Sequence, residues 1–424
     1  MKVLRFLFFC YIIASFITRP LFGEGSVLSR FVLADFFGLA ALIVFILQQG
    51  KFKTSVPYQM AWLLITGFFI GITGSDFPMS SFNEVIILLF LIAVSQCIFS
   101  IYTEQKNIVQ LFLALAWVNL IASAIGIYDS YFTSFGLPRI FKARADGEAL
   151  SGFRNAGQAG AFMQITLFIV YAFVRTELKN RLSANQKVLF RISLIIGFIF
   201  FVLTGKVAAY IGASVGILLY LIMKRRLSSF FTVLLLLAGL VWMFNELPTI
   251  APQINKRIFA KVRTRILEPM EISDSHSKVN GTAFINRNFE SALTAFYDNP
   301  LTGSGIGGFM GRYERHEVHS TYLKIIGETG LLGIIPYILL MYFMLQMLFS
   351  KRIVVDESNE IHPWFAFLME LRPFVIGWLI SWGYTYHLRK REFWIAFAII
   401  SIVYKLIIDS KNKKIINCIS NEQT

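Results

Sequence analysis

The chain alternates apolar runs of membrane-crossing length with short polar breaks, and only two of its polar stretches are long. The runs are 3–19, 30–48, 58–75, 83–102, 108–128, 156–174, 188–204, 206–223, 228–246, 320–349, 364–387 and 392–409. Each approaches the roughly 20 residues that a helix needs to cross about 30 Å of hydrocarbon. Lipid offers the backbone no hydrogen-bond partner, so such runs predict helices. The first follows Lys2 and Arg5 with no Ala-x-Ala site behind it, and reads as a membrane helix rather than a cleaved signal. The expected fold is all-α: a polytopic transmembrane helix bundle of about 12 spans with a long, partly helical loop on one face. Its expected divisions are an N-terminal bundle over 1–246, the long loop over 247–318, and a C-terminal membrane segment over 319–424.

Charge orients these spans. Lys51, Lys53, Lys106, the group from Arg175 to Lys187, Lys224-Arg225-Arg226, Lys351-Arg352 and the lysines from Lys411 to Lys414 fall on one side. The positive-inside rule assigns that side to the cytoplasm. Both termini are then inside, and 129–155 and 247–318 are periplasmic if the membrane is a bacterial inner membrane. Arg389-Lys390-Arg391 runs against the rule and leaves the last two spans least constrained. In the long loop, Ile254, Ile258, Val262 and Ile266 recur every fourth residue among basic ones, an amphipathic helix suited to a headgroup layer or to packing on the protein. Phe289, Ala292, Leu293 and Phe296 mark a second short helix, ended by Asp298-Asn299-Pro300.

Composition removes whole classes. Hydrophobic residues make up 56% of 424 and Phe numbers 43, which excludes a soluble enzyme with a single anchor. The net charge of +15 fits cytoplasmic loops and anionic membrane lipids, and nucleic acid is not an expected partner. Cys10, Cys97 and Cys418 are too scattered to suggest a disulfide framework or a metal site.

Candidate chemistry centres on 319–333. His319 precedes a long apolar helix at the end of the longest polar segment, where an imidazole meets both lipid-borne and aqueous molecules. Lys324 and Glu328 are four apart and suited to pairing, and Gly327, Gly330 and Gly333 leave room for close packing. In 129–155, the basic residues Arg139, Lys142, Arg144 and Arg154 sit on the outer face, where guanidinium forks suit phosphate oxygens. Headgroup anchoring is the alternative for these, and snorkelling the alternative for Lys206 in Thr204-Gly205-Lys206. Gly303-Ser304-Gly305-Ile306-Gly307-Gly308 matches G-x-G-x-x-G, but no βαβ unit surrounds it, so a turn is expected rather than a dinucleotide site. His316, three residues from His319, lacks a defined third ligand, and no metal or cofactor is assigned.

The wording His319-Ser320-Thr321-Tyr322-Leu323, then Glu328-Thr329-Gly330-Leu331-Leu332-Gly333, resembles the signature of the O-antigen ligase and polymerase family. Pro300-Leu301-Thr302-Gly303-Ser304-Gly305 is similar to that family's Pro-Leu-x-Gly-x-Gly turn, and Arg287 to the arginine before it. Arg144-Ala145-Asp146-Gly147 with Gly152-Phe153-Arg154-Asn155 is similar to its Arg-x-x-Gly and Gly-Phe-x-Asn segments. Arg154-Asn155-Ala156 stands where the family has Asn-Pro-Asn, and Lys206 where it usually has arginine.

The resemblance implies a multi-pass glycosyltransferase of the inner membrane, using an undecaprenyl-diphosphate-linked oligosaccharide as donor and a glycan or lipid A-core as acceptor. His319 is then the expected base, and Arg144, Lys206, Arg287 and Arg154 the expected diphosphate ligands, with polymerase favoured over ligase. A metal-independent single displacement with inversion is the expected chemistry. The reading from another class is a transporter of lipid-linked sugars, for which Asp35, Arg191 and Glu370 are the intramembrane candidates.

Overall fold

The computed structural model describes residues 1–19, 31–131, 138, 140–141, 150–224, 281–310, 312–313, 318–350 and 362–422, with the backbone alone for Tyr131, 281–287 and 411–422. The expected span 228–246, the amphipathic stretch 254–266 and His316 lie outside these residues. The helices are α1 (Lys2–Ala14), α2 (Leu33–Leu47), α3 (Val56–Gly71), α4 (Pro78–Ile101), α5 (Gln105–Tyr131) and α6 (Ala156–Val174). They continue with α7 (Ala184–Leu203), α8 (Val207–Lys224), α9 (Gly281–Asp298), α10 (Thr321–Phe349), α11 (Pro363–Trp382) and α12 (Arg391–Glu422). Among the described residues there is no strand, and nine helices are long and apolar enough to cross a membrane. The chain is an all-α polytopic bundle.

Local chemistry sets the helix ends. Pro57, Pro78 and Pro363 stand in the first turns of α3, α4 and α11, where a missing N–H costs nothing. Ser183 and Gln186 cap α7 reciprocally, and Asn155 and Ser320 cap α6 and α10 by accepting from the third residue on. The first two helices, α1 and α2, are shorter than their apolar runs and than a membrane crossing. α1 has 13 residues, about 20 Å of rise, and stops where the Ser15 hydroxyl bonds the Ile12 carbonyl. Residues beyond it leave the helix to meet the α6 entry, Thr18 N–H donating to the Gly152 carbonyl at 3.1 Å.

Packing relies on aromatics and absent side chains. Phe112 stacks on Phe173 at 4.3 Å and meets Phe367 edge-on, tying α5, α6 and α11. Gly212 and Gly216 on α8 form a G-x-x-x-G face against α11: Gly212 lies on Gly377, where a Cβ would overlap its carbonyl, and Gly216 packs closely on Phe374. Ile192, Ile195, Phe198 and Ile199 of α7 are exposed along one face, as lipid contact requires.

Polar contacts show which helix ends share a face. Arg312 pairs with Asp76, Arg389 with Glu84, and Arg391 Nε reaches Asp35 at 3.1 Å. These bring together the α2, α4 and α12 starts, the α3 end and the segment after α9. The basic triplet that runs against the positive-inside trend is thus partly neutralised by carboxylates of α2 and α4. At the opposite end Lys224 pairs with Glu370, and Arg181 donates to Gln105 at 2.8 Å.

The Asp35–Arg391 pair joins the second helix to the last and is largely buried. Arg391→Leu is expected to lower unfolding stability in detergent by about 3–5 kcal/mol, because Asp35 is left uncompensated. Adding Asp35→Asn should recover most of that loss in circular-dichroism melts. Equal melting of the single variant and wild type would remove the pair from the account of how the bundle closes.

Candidate active site

The His319 segment is organised by a break in its own helix. Gly330 adopts φ 52° and ψ −155°, a conformation open essentially to glycine alone, so α10 is two helical pieces rather than the continuous one expected. Such a break releases backbone groups that need new partners. The turn after α9 supplies them. Leu331 N–H donates to the Pro300 carbonyl at 2.9 Å and Leu332 N–H to the Leu301 carbonyl at 3.0 Å, while the Gly327 carbonyl accepts from Ser304 N–H at 3.0 Å. The Pro-Leu-Thr-Gly-Ser-Gly turn and the Glu-Thr-Gly-Leu-Leu-Gly helix are therefore two halves of one hydrogen-bonded unit. The three glycines of that helix serve three neighbours, not one strip. Gly327 lies on Ala292 of α9, Gly330 on Pro300 and Leu301, and Gly333 beside Thr329 and Phe68.

A buried ion pair locks this unit. Lys324 Nζ stands 3.2 Å from Glu328 Oε1, and both side chains are 1% exposed. The second carboxylate oxygen accepts from Gly307 N–H at 2.5 Å, and the ammonium sits 4.7 Å from the centre of the Tyr386 ring. Glu84, partner of Arg389, lies beside Gly307 on the far side of the same turn.

His319 is exposed immediately before the Ser320 cap, so a fixed helix start presents it to the outside. Thr321 Oγ1 donates to the Thr385 carbonyl at 2.7 Å and accepts from His387 N–H at 3.1 Å, and Tyr322 O–H donates to the Leu379 carbonyl at 2.6 Å. These bonds pin the start of α10 to the α11–α12 turn. His387 carried no signal in the sequence. It is 1% exposed and its ring is tilted against Trp382 with centres 5.2 Å apart, and neither ring nitrogen has a hydrogen-bond partner among the described residues. Burial, then the charges of Lys390 and Lys206, hold its pKa well below the ordinary imidazole range, so it stays neutral.

The other candidates fall out as follows. Lys206 follows Gly205, whose φ is 62°, and its side chain runs over Gly157 and Gly160 at the α6 start, near His387. Arg154 is exposed one residue before the Asn155 cap, its N–H donating to Thr18 Oγ1 at 2.7 Å. Lys206, Arg154 and His319 are thus brought to one end of the bundle. Arg287 lies on α9, whose Ala292 packs on Gly327, but its side chain is outside the described residues, as is all of Arg144. On α9 the buried face is Asn288, Ala292 and Ala295; Phe289, expected to mark it, is exposed. Among the described residues no three of His, Cys, Asp or Glu gather as a metal-ligand group. Of the transporter candidates, Asp35 and Glu370 are engaged in interhelical ion pairs and Arg191 is exposed.

Residues 192–338 match the family model described as O-antigen ligase. The match takes in Lys206, Arg287, the glycine turn, His319 and the Gly330 break, and stops short of Arg144 and Arg154. No curated protein matches the chain.

Two glycines with nearly equal φ make a test of the locked turn. A Cβ on Gly303 (φ 61°) would lie 2.5 Å from the Glu328 carbonyl carbon, whereas Gly205 (φ 62°) has nothing within 4 Å. Gly205→Ala should cost only about 1–2 kcal/mol of left-handed strain. Gly303→Ala should cost clearly more and separate the turn from α10, read as faster amide exchange at Ser304 and Leu331. Equal effects of the two substitutions would contradict the packing described.

Proposed function

From the match of residues 192–338 to the O-antigen ligase family model, we propose that this membrane protein transfers a glycan from undecaprenyl diphosphate to an acceptor hydroxyl at the periplasmic face. The observation that carries the reading is the presentation of His319: exposed, one residue ahead of a capped helix, and braced by the Lys324–Glu328–Gly307 lock. Neutral His319 takes the proton of the acceptor hydroxyl as its oxygen attacks the anomeric carbon. The bond from that carbon to the diphosphate oxygen breaks, and the electron pair leaves with the diphosphate. Lys206 and Arg287, with Arg144 and Arg154 from the preceding loop, hold the diphosphate and offset its growing charge. A leaving group of this acidity needs no general acid or metal, and one displacement inverts the anomeric centre.

A second lipid-linked glycan as acceptor makes the enzyme a polymerase, the reading favoured by the His319-Ser320-Thr321-Tyr322-Leu323 wording; lipid A-core as acceptor makes it a ligase. Transport is disfavoured because Asp35 and Glu370 join helices rather than line a path.

In transfer assays with a defined lipid-linked oligosaccharide, His319→Ala and His319→Gln should each lower the rate by about two to four powers of ten, at normal expression. Substantial turnover by the glutamine variant would reduce His319 to an orienting role. Arg144→Ala, Lys206→Ala and Arg287→Ala should each weaken donor use roughly tenfold or more, with Arg→Lys intermediate at the two arginines. Full activity in all three would move the diphosphate elsewhere.

The periplasmic assignment has its own check. Tyr297 is 73% exposed on the site face and Lys106 is exposed at the opposite end. In a cysteine-free background, Tyr297→Cys should react with an impermeant maleimide in whole cells and Lys106→Cys only after lysis. The reverse pattern would invert the topology.

A further inference from the structure

A cavity of about 320 Å³ opens at the end of the bundle opposite His319, between the α3 start, the α4 and α10 ends and the second half of α12. At roughly 30 Å³ per molecule it has room for about ten waters, yet its walls are mostly apolar. Phe99, Phe343, Met347 and Ile408 form much of them. Two hydroxyls in the lining, of Ser55 and Ser401, are buried without a hydrogen-bond partner among the described residues, and Ser401 is only 2% exposed.

The rim of the cavity is basic. Lys405 lines the cavity, its ammonium 5.7 Å from the centre of the Phe99 ring. Lys53 is two residues from Ser55, and burial together with the Lys405 charge lowers its pKa, while Asp409 opposes the shift. Among the described residues no carboxylate comes within ion-pair distance of either lysine. Lys405 is 14 residues past Arg391 on α12, about 21 Å of rise, so its ammonium belongs near the far headgroup layer and the cavity in the acyl region behind it.

From the apolar slot and the pair of lysines at its rim near headgroup depth, we propose a specific site for an anionic phospholipid. Its phosphodiester lies between Lys405 and Lys53, and one acyl chain enters the cavity. The site is remote from His319 and stands whether or not the glycosyl-transfer reading does. Its position at the α10 end makes the lipid a brace on the helix whose other end presents His319.

The test uses full-length protein in nanodiscs of equal phosphatidylglycerol and phosphatidylcholine, with retained lipid counted by native mass spectrometry. Wild type should keep phosphatidylglycerol in preference to phosphatidylcholine. Lys405→Glu should lower that retention roughly tenfold, while Lys51→Glu, an exposed lysine at the same end, should change it less than about twofold. Ser401→Leu should fill the slot and lose lipid retention with little change in melting. Inorganic phosphate should not displace the lipid, because it has no chain to bury. Equal effects at Lys405 and Lys51, absence of headgroup preference, retention by Ser401→Leu, or displacement by phosphate alone would each overturn the proposal.

Discussion

The rest of the His319 region depends on an exchange of hydrogen bonds. A glycine with positive φ interrupts α10, and the backbone groups so released bond to a glycine-rich turn from another part of the chain. In a bundle that lipid surrounds, a broken helix is tolerated only when protein satisfies the freed groups. Here the satisfaction is direct, with two N–H groups and one carbonyl of α10 engaged by residues 300–304. The carboxylate of Glu328 then reads the same turn from the side, through Gly307 N–H, while Lys324 balances its charge. Neither half of the unit is intelligible alone. The turn has no regular structure to hold it, and the helix has no continuity without the turn.

That arrangement explains why a pair of charges is buried where hydrophobic residues of equal volume would often be more stable. Two apolar side chains at 324 and 328 would fill the space but would leave Gly307 N–H without its acceptor. The ion pair orients as well as stabilises. The Glu84–Arg389 pair stands against the other side of the same turn, so four charged groups from α4, α10 and the α11–α12 turn enclose about ten residues of loop.

The legible parts of the chain are those set by one-dimensional pattern. Apolar length located most of the helices, because satisfying the backbone in lipid leaves few alternatives, and the i, i+4 spacing of Lys324 and Glu328 is realised as a buried pair. Contacts between distant residues were not legible. Nothing local to Arg389 or Arg391 announces carboxylates some three hundred residues earlier, so these cations read as a breach of the charge rule. His387 gave no signal because its interest comes from Trp382, Thr321 and Lys206, none of which forms a motif with it. The glycines at 327, 330 and 333 were recognisable as close-packing residues, but not what each of them packs on. Only the backbone angle at Gly330 distributes them among α9, the turn and α3. Gly212 and Gly216 likewise have their partners, Gly377 and Phe374, about 160 residues away, where no local pattern links them.

The ion pairs across the site face also bear on how the chain is made. Membrane insertion proceeds from the N-terminus, so Asp35 and Glu84 are in place long before Arg389 and Arg391 are synthesised. Until then two carboxylates wait without their partners at one membrane surface. The last hairpin must carry Arg389, Lys390 and Arg391 to that same surface, against the charge pattern of the other loops. The waiting carboxylates give that hairpin a destination, and its arrival joins the first-made helices to the last. A chain stopped at the end of α11 would hold the helices that shape the glycine turn and yet lack Arg389, the cation that meets Glu84 beside it.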